Sequence, residues 1–301
     1  MSAHVILGGN GVIGRETGAA LLAAGHPVAS VNRTAATSPG VRSIVADLRE
    51  SGEVRSALVG ADVAYLTVGL PYRTAVWRRD WPRIVRGTID ACLAGGIRLV
   101  YFDNVYAYGK TDGPMTEATP VHPTSRKGAI RADLLRMLAE AAARGLDYTI
   151  GRSADFYGPG AKTSVFNSMA LDKIAAGKKP TWLLDTTEPH SMTYTPDIGQ
   201  ALAILGTAHW PTGHTWHLPT APALTGQDYL ALAGASRFTT MSMAVLRMGA
   251  IVLPAARESL ELSYQNTNPY VFDSSKFEST FGMVPTPYRE GIAVAVAATR
   301  R

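Results

Sequence analysis

Gly8, Gly9, Asn10, Gly11, Val12, Ile13 and Gly14 form a glycine-rich turn between an apolar run at 4–7 and a helix-forming stretch at 13–24. Glycine there permits a tight turn and lets backbone N–H groups come close to a ligand, while the N terminus of the next helix favours an anion. Flanked by strand and helix in this way, such a turn suits a pyrophosphate. The glycines that recur, Gly8, Gly11 and Gly14, give the spacing G-x-x-G-x-x-G. At the end of the following strand, where a dinucleotide-binding chain commonly has an acidic residue for a ribose hydroxyl, stand Asn32 and Arg33. An arginine there can pair with a 2′-phosphate, so these residues point to NADP(H) in preference to NAD(H).

The elements that must hold this turn are legible as an alternation of short β-branched runs and helical stretches. Strands are expected at 4–7, 28–31, 43–45, 63–67, 98–102 and 148–152, with helices between them, including one at 13–24 ending on Gly25 and one at 134–143 ending near Gly145. That alternation predicts an α/β, doubly wound parallel-sheet Rossmann fold. After Tyr157 the elements shorten and are separated by Pro, Gly and Thr. Residues 1–157 are therefore expected to form the dinucleotide-binding domain, and 158–301 a smaller C-terminal substrate-binding lobe that intermixes with the last strands of the sheet. Trp182, Trp210, Trp216 and most of the histidines fall in this later part, a composition suited to closing over a small molecule.

Bulk properties exclude several classes. With 46% hydrophobic and 18% charged residues, the chain has material for a full core. The net charge of +5 is scattered, and its densest stretch, Arg78, Arg79, Arg83 and Arg86, has the spacing of a solvated helix face; no nucleic-acid partner is expected. Cys92 stands alone and can form no internal disulfide. No apolar run reaches the roughly 20 residues of a membrane helix, and the N terminus lacks signal-peptide features, so the expected place is the cytoplasm, with no membrane partner. No His, Cys or carboxylate spacing suggests a metal site. A small-molecule substrate is the expected partner, and a homodimer stays open.

Four further segments carry a resemblance. YFDNVYAYG at 101–109 looks like a strand ending in S-S-x-x-V-Y-G, GRSADFYGPG at 151–160 like L-R-x-x-N-V-Y-G-P-G, TYTPDIGQA at 193–201 like F-V-H-V-D-D-V-A-x-A, and 281–287 like a closing F-G-x-x-P-T-P. With the glycine turn, these motifs resemble the extended and atypical short-chain dehydrogenase/reductases, also called the NAD-dependent epimerase/dehydratase family, over nearly the whole chain. The resemblance implies an NAD(P)-dependent enzyme. It also places Asp47 and Leu48 at the family's adenine-contacting position, and Lys127 at the lysine that holds the nicotinamide ribose and lowers the pKa of a catalytic tyrosine.

The departures from the family matter more. Counting back from Gly109 puts Asn104 at the catalytic serine position, and counting from Lys127 puts Pro123 at the catalytic tyrosine. Proline has no proton to exchange, so only the lysine of the trio survives. Val105 and Tyr106 replace the acidic pair of the nucleotide-sugar dehydratases, which points away from that chemistry. Tyr106, two residues beyond Asn104 on what reads as one strand edge, is the expected replacement acid, with Asn104 orienting the substrate oxygen and a packing role for Tyr106 weighing equally. Asp155, at the family's asparagine, and His190 and Tyr194, around the TYTPDIGQA segment, are expected to border the substrate.

The expected function is an NADPH-dependent atypical short-chain reductase of a small apolar or aromatic carbonyl or enone compound. Two alternatives stand beside it: redox-neutral epimerisation, dehydration or cyclisation with bound NADP, and non-catalytic NADP sensing.

Overall fold

β1 (His4–Leu7) is buried along its whole length, as the central strand of a sheet covered on both faces must be, and this is why its sequence shows no polar alternation. Its one polar member, His4, bonds through Nδ1 to the Tyr65 hydroxyl at 2.8 Å. Burial, aided by the charge of His26, pushes the His4 pKa down to about 4. The computed structural model describes residues 3–300. Its chain continues through α1 (Val12–Ala23), β2 (Val28–Asn32), β3 (Arg42–Val45), α2 (Ser51–Ala57), β4 (Val63–Leu66), α3 (Thr74–Gly95) and β5 (Arg98–Asn104). A 3-10 turn at Val105–Tyr108 leads to α4 (Arg126–Ala142), β6 (Tyr148–Ser153) and β7 (Asp155–Tyr157). Then come α5 (Asp172–Ala175), β8 (Thr181–Leu183), β9 (Pro189–His190), β10 (Met192–Tyr194), α6 (Thr195–Thr207) and β11 (His214–His217). Short elements follow, ending in a helix at Tyr288–Thr299.

Seven strands form one sheet in the order β11-β6-β5-β4-β1-β2-β3. The pairs β3–β2, β2–β1, β1–β4 and β4–β5 are parallel, with His4 opposite both Val28 and Val63. This is the Rossmann-type α/β arrangement expected from the alternation, and the order reverses beside β1, where such sheets bind ligands.

The chain divides into two compact units. The first contains the residues up to Ala107, then Lys127–Arg152 and Ile198–Trp216; the second contains Tyr108–Arg126, Ser153–Asp197 and everything from His217 onward. A boundary expected at 157 thus meets an interleaved division, in which β11 returns to the edge of the sheet beside β6. Trp210 and Trp216 belong to the first unit and pack edge to face at 5.1 Å. Trp182 is buried in the second unit's core, stacked on Tyr229. All three tryptophans thus pack against other aromatic rings.

In the first unit α3 lays Trp77, Trp81, Ile84, Val85 and Ile89 into the core, the i, i+4, i+7 spacing of one helix face. Arg78, Arg79, Arg83 and Arg86 are on its exposed side. Cys92, buried in the same core, has its thiol pKa pushed up to about 12 by that burial. A charged cluster is built into this unit as well. The Asp103 carboxylate, with its side chain fully buried, accepts from Arg131 Nε at 2.8 Å and from Arg152 Nε and Nη2 at 3.0 and 2.8 Å. Among the described residues no helix is long and apolar enough to cross a membrane.

Candidate dinucleotide and active site

The glycine turn follows β1 directly, and its glycines answer to different needs. Gly8 has φ +95°, and a Cβ there would meet the backbone of Val68 at 2.5 Å. A Cβ on Gly9 would strike the Ser30 side chain, and one on Gly14 would meet Gly8 O and Gly9 Cα at 2.6 Å. Gly11 differs. It sits at ordinary extended angles, φ −68° and ψ 161°, at the N-cap of α1, and a Cβ on it would meet only Gly8 O at 3.3 Å. The fold itself therefore demands Gly8, Gly9 and Gly14, whereas Gly11 is exposed and bare where a ligand would approach.

No side chain caps α1, and no acidic residue stands in its first turn. Val12 and Ile13 open the helix, so the uncapped N–H groups and the positive end of the helix dipole are left for an anion. These residues fit a pyrophosphate.

Asn10 and Asn32 tie the turn to the second strand. The Asn10 N–H donates to Asn32 Oδ1 at 2.8 Å, and Asn32 Nδ2 donates to Ser30 Oγ at 2.7 Å. The Asn10 side chain braces the chain beyond β2, donating to Ala35 O at 2.9 Å and accepting from the Thr37 N–H at 3.1 Å. Asn32 thus has its side chain committed to the turn, while Arg33 beyond it is exposed. Asp47, expected at the adenine, accepts from Arg49 N and Nε at 3.0 and 2.9 Å. These bonds, with a smaller contribution from the charge of Arg33, hold its carboxyl pKa down to about 2. Leu48 beside it is buried.

Lys127 lies in the first turn of α4. The apolar pattern read from sequence begins α4 only at 134, because its opening turns are polar in sequence although Lys127 and Arg131 are buried. Lys127 Nζ donates to Thr74 Oγ1 at 3.2 Å and sits 4.4 Å from the centre of the Tyr72 ring. Tyr72 packs edge to face on Trp77 at 5.7 Å, and Trp77 stacks on Tyr106 at 6.2 Å. A buried ammonium from α4 and three aromatic rings, from the turn after β4, the start of α3 and the 3-10 turn after β5, are thus gathered together.

The expected strand-edge geometry of Tyr106 is corrected here. β5 ends at Asn104, and Tyr106 lies in the 3-10 turn that follows, so the period of two does not carry past Asn104. Asn104 Oδ1 accepts the Tyr106 N–H at 3.1 Å, which caps the strand end and leaves the Asn104 amide nitrogen as its donor end.

In the second unit, His190 and Asp155 meet: Nε2 is 3.0 Å from Asp155 Oδ2, and Nδ1 is 3.2 Å from the Gln265 carbonyl oxygen. Both ring nitrogens thus face oxygen atoms. His190 is buried and stacks on Tyr270 at 4.3 Å, while the Asp155 side chain is 37% exposed. Tyr194 is an aromatic core residue, 5.3 Å from Tyr157.

Sequence reading missed Tyr72 and Thr74 at Lys127, and the Asp103–Arg131–Arg152 cluster. Arg131 carried a usable signal, being four residues beyond Lys127 and hence on its helix face. Tyr72 carried none, since a loop residue has no period to give it away.

Comparison with known proteins gives the family and the fold. The family model described as NAD dependent epimerase/dehydratase family matches residues 4–216. No curated protein matches the chain. Among solved structures, MoeE5 in complex with UDP-glucose and NAD superposes with a TM-score of 0.82 at 21% identity, over 100% of this chain and 99% of that one. The DesIV double mutant from Streptomyces venezuelae, a dTDP-glucose 4,6-dehydratase with NAD and DAU bound, gives 0.80 at 19% over 99% and 97%. The Thermus thermophilus UDP-glucose 4-epimerase complex with NAD gives 0.77 at 18% over 99% of each chain. At such identities these structures speak for the fold, while the family model covers most of the sequence; the chain belongs to the NAD dependent epimerase/dehydratase family and is an NAD(P)-dependent enzyme of that type.

Proposed function

We propose that this enzyme is an NADPH-dependent reductase of a small apolar or aromatic carbonyl or enone compound. The observation that carries the substrate class is the Tyr72–Trp77–Tyr106 cluster beside Lys127, in the same unit as the glycine turn. Faces and edges of aromatic rings suit an apolar ring better than a sugar rich in hydroxyls. Bound NADPH would supply a hydride. Gly11 and the N terminus of α1 would hold its pyrophosphate, Lys127 its nicotinamide ribose, and Arg33 its 2′-phosphate, with Asp47 and Leu48 beside the adenine. The Asn104 amide N–H would orient the carbonyl oxygen. Asp155, His190 and Tyr194, all in the second unit, are proposed as substrate-recognition residues.

NADPH oxidation with a panel of aromatic ketones, aldehydes and enones tests the reaction. Turnover of at least one class is expected, and NADPH binding without any oxidation overturns the reductase reading. A redox-neutral reaction is the second reading, favoured by the likeness to the sugar-nucleotide epimerase and dehydratases above. Product formation from a UDP- or dTDP-sugar with no net loss of cofactor would establish it.

Cofactor preference has its own expected result. NADPH should bind more tightly than NADH, and Arg33→Ala should weaken NADPH on the order of tenfold, the loss of one charge-assisted contact, while leaving NADH unchanged. Calorimetric titration with both nucleotides checks this, and equal losses for the two would remove Arg33 from phosphate recognition.

A further inference from the structure

The family's catalytic tyrosine has become Pro123, yet a phenol still lies against the surviving lysine. Tyr72, on the turn between β4 and α3, places its ring over the Lys127 ammonium, 4.4 Å from ring centre to Nζ. Lys127 is fully buried, whereas Tyr72 is 39% exposed, so Tyr72 is the member of this pair that a ligand from solvent can meet. Thr74, two residues on at the first position of α3, accepts a hydrogen bond from the same ammonium. One short segment thus supplies both the hydroxyl that fixes Lys127 and the ring that covers it. We propose that Tyr72 takes the place of the lost tyrosine and supplies the proton of the reaction, with Lys127 as the charge that makes its phenolate accessible.

This inference rests on the reductase reading for its substrate, though not for its geometry. With NADPH bound as the hydride donor, the C=O π pair would move onto oxygen as the carbonyl carbon accepts the hydride, and that oxygen would take the phenolic proton of Tyr72, giving the alcohol and NADP+. The Tyr72 phenolate, stabilised by the adjacent ammonium, then regains a proton from water. Lys127 is the cation facing Tyr72 from α4, and its chain neighbour Arg73 brings a second positive charge. Trp77 and Thr74, which α3 presents, do not titrate. Tyr106 is separated from Tyr72 by Trp77 and stacks on that indole. Its phenol is therefore the competing assignment.

The ultraviolet tyrosinate band, followed against pH in the whole protein with NADP bound, tests the pairing without a substrate. The background is favourable, because burial pushes up the hydroxyls of Tyr65, Tyr101, Tyr157, Tyr229 and Tyr270. The first step to appear should have the amplitude of one tyrosine, vanish in Tyr72→Phe and move to higher pH in Lys127→Met, with circular dichroism confirming that both variants fold. Survival of that step in Tyr72→Phe overturns the proposal. The second arm uses NADPH and benzil. In Tyr72→Phe, kcat should fall on the order of a hundredfold while KM and NADPH affinity stay within about threefold. A loss seen in Tyr106→Phe and absent in Tyr72→Phe also overturns the proposal. Failure of the whole carbonyl and enone panel in the wild type, with the first tyrosinate step lost in Tyr72→Phe, refutes the reductase reading and leaves the Tyr72–Lys127 pairing standing.

Discussion

Gly11→Val should fold normally and lose its cofactor. Valine accepts the extended angles Gly11 already has, and its Cβ would crowd only one backbone oxygen at 3.3 Å. The expected stability cost is about 1 kcal/mol, that of a poor N-cap residue. Its isopropyl group would nevertheless stand where a pyrophosphate must meet the helix N terminus, so NADPH affinity should fall on the order of a hundredfold or more. Gly14→Val should behave oppositely. Its Cβ would lie 2.6 Å from two backbone atoms that no side-chain rotation can move, and overpacking of this kind costs about 3 kcal/mol. Urea denaturation and fluorescence titration on both variants separate the two roles. Normal NADPH binding by Gly11→Val would end the assignment of this turn to the cofactor.

The second large effect is expected at a buried charge cluster that holds no proposed ligand contact of its own. Asp103 is a single carboxylate between two guanidiniums in the core, and Asp103→Asn keeps its shape while leaving Arg131 and Arg152 buried without that charge. Removing one partner from a buried cluster costs about 3–5 kcal/mol, which should appear as a lower urea midpoint. Burial alone would raise the Asp103 pKa, but the two arginines outweigh it and hold the carboxyl below its ordinary range. A carboxyl depressed in the folded state gives stability that is fully present above the unfolded value of about 4 and is lost as pH falls through the folded value. The gap between wild type and Asp103→Asn should therefore be widest near neutral pH and shrink as the solution is acidified. A gap independent of pH would mean that packing, not charge, sets the cost.

These two sites show how far sequence reaches into this molecule. The glycine turn was legible because strand, turn and helix follow one another within a few residues, and local order is what periodicity reports. Six strands of the sheet were legible for the same reason, being short apolar or β-branched runs, whereas β11, with the sequence HTWH, gave no such run and was missed. Which glycine serves the fold and which the ligand was not legible, since that depends on Val68 and Ser30, brought close only by the finished sheet. The charged cluster was hidden because Asp103, Arg131 and Arg152 come from three separate elements, and buried charge looks like surface charge in a sequence. Tyr106 was placed on the wrong element because nothing in DNVYAYG marks the change from strand to 3-10 turn, and the tryptophans after 180 were assigned to a ligand on composition alone. Family resemblance supplied Lys127, but the phenol against it had to come from the fold.

The return of the chain to the sheet edge also governs how the protein is made. A ribosome releases β6 well before β11 at His214–His217, and most of the intervening stretch, Ser153–Asp197, belongs to the other unit. Until β11 emerges, β6 is the outermost strand, with a row of backbone groups open to pairing with another nascent chain. A truncation at residue 157, the cut that composition suggests, would make that exposed edge permanent and yield an aggregation-prone fragment in place of an isolated cofactor-binding domain.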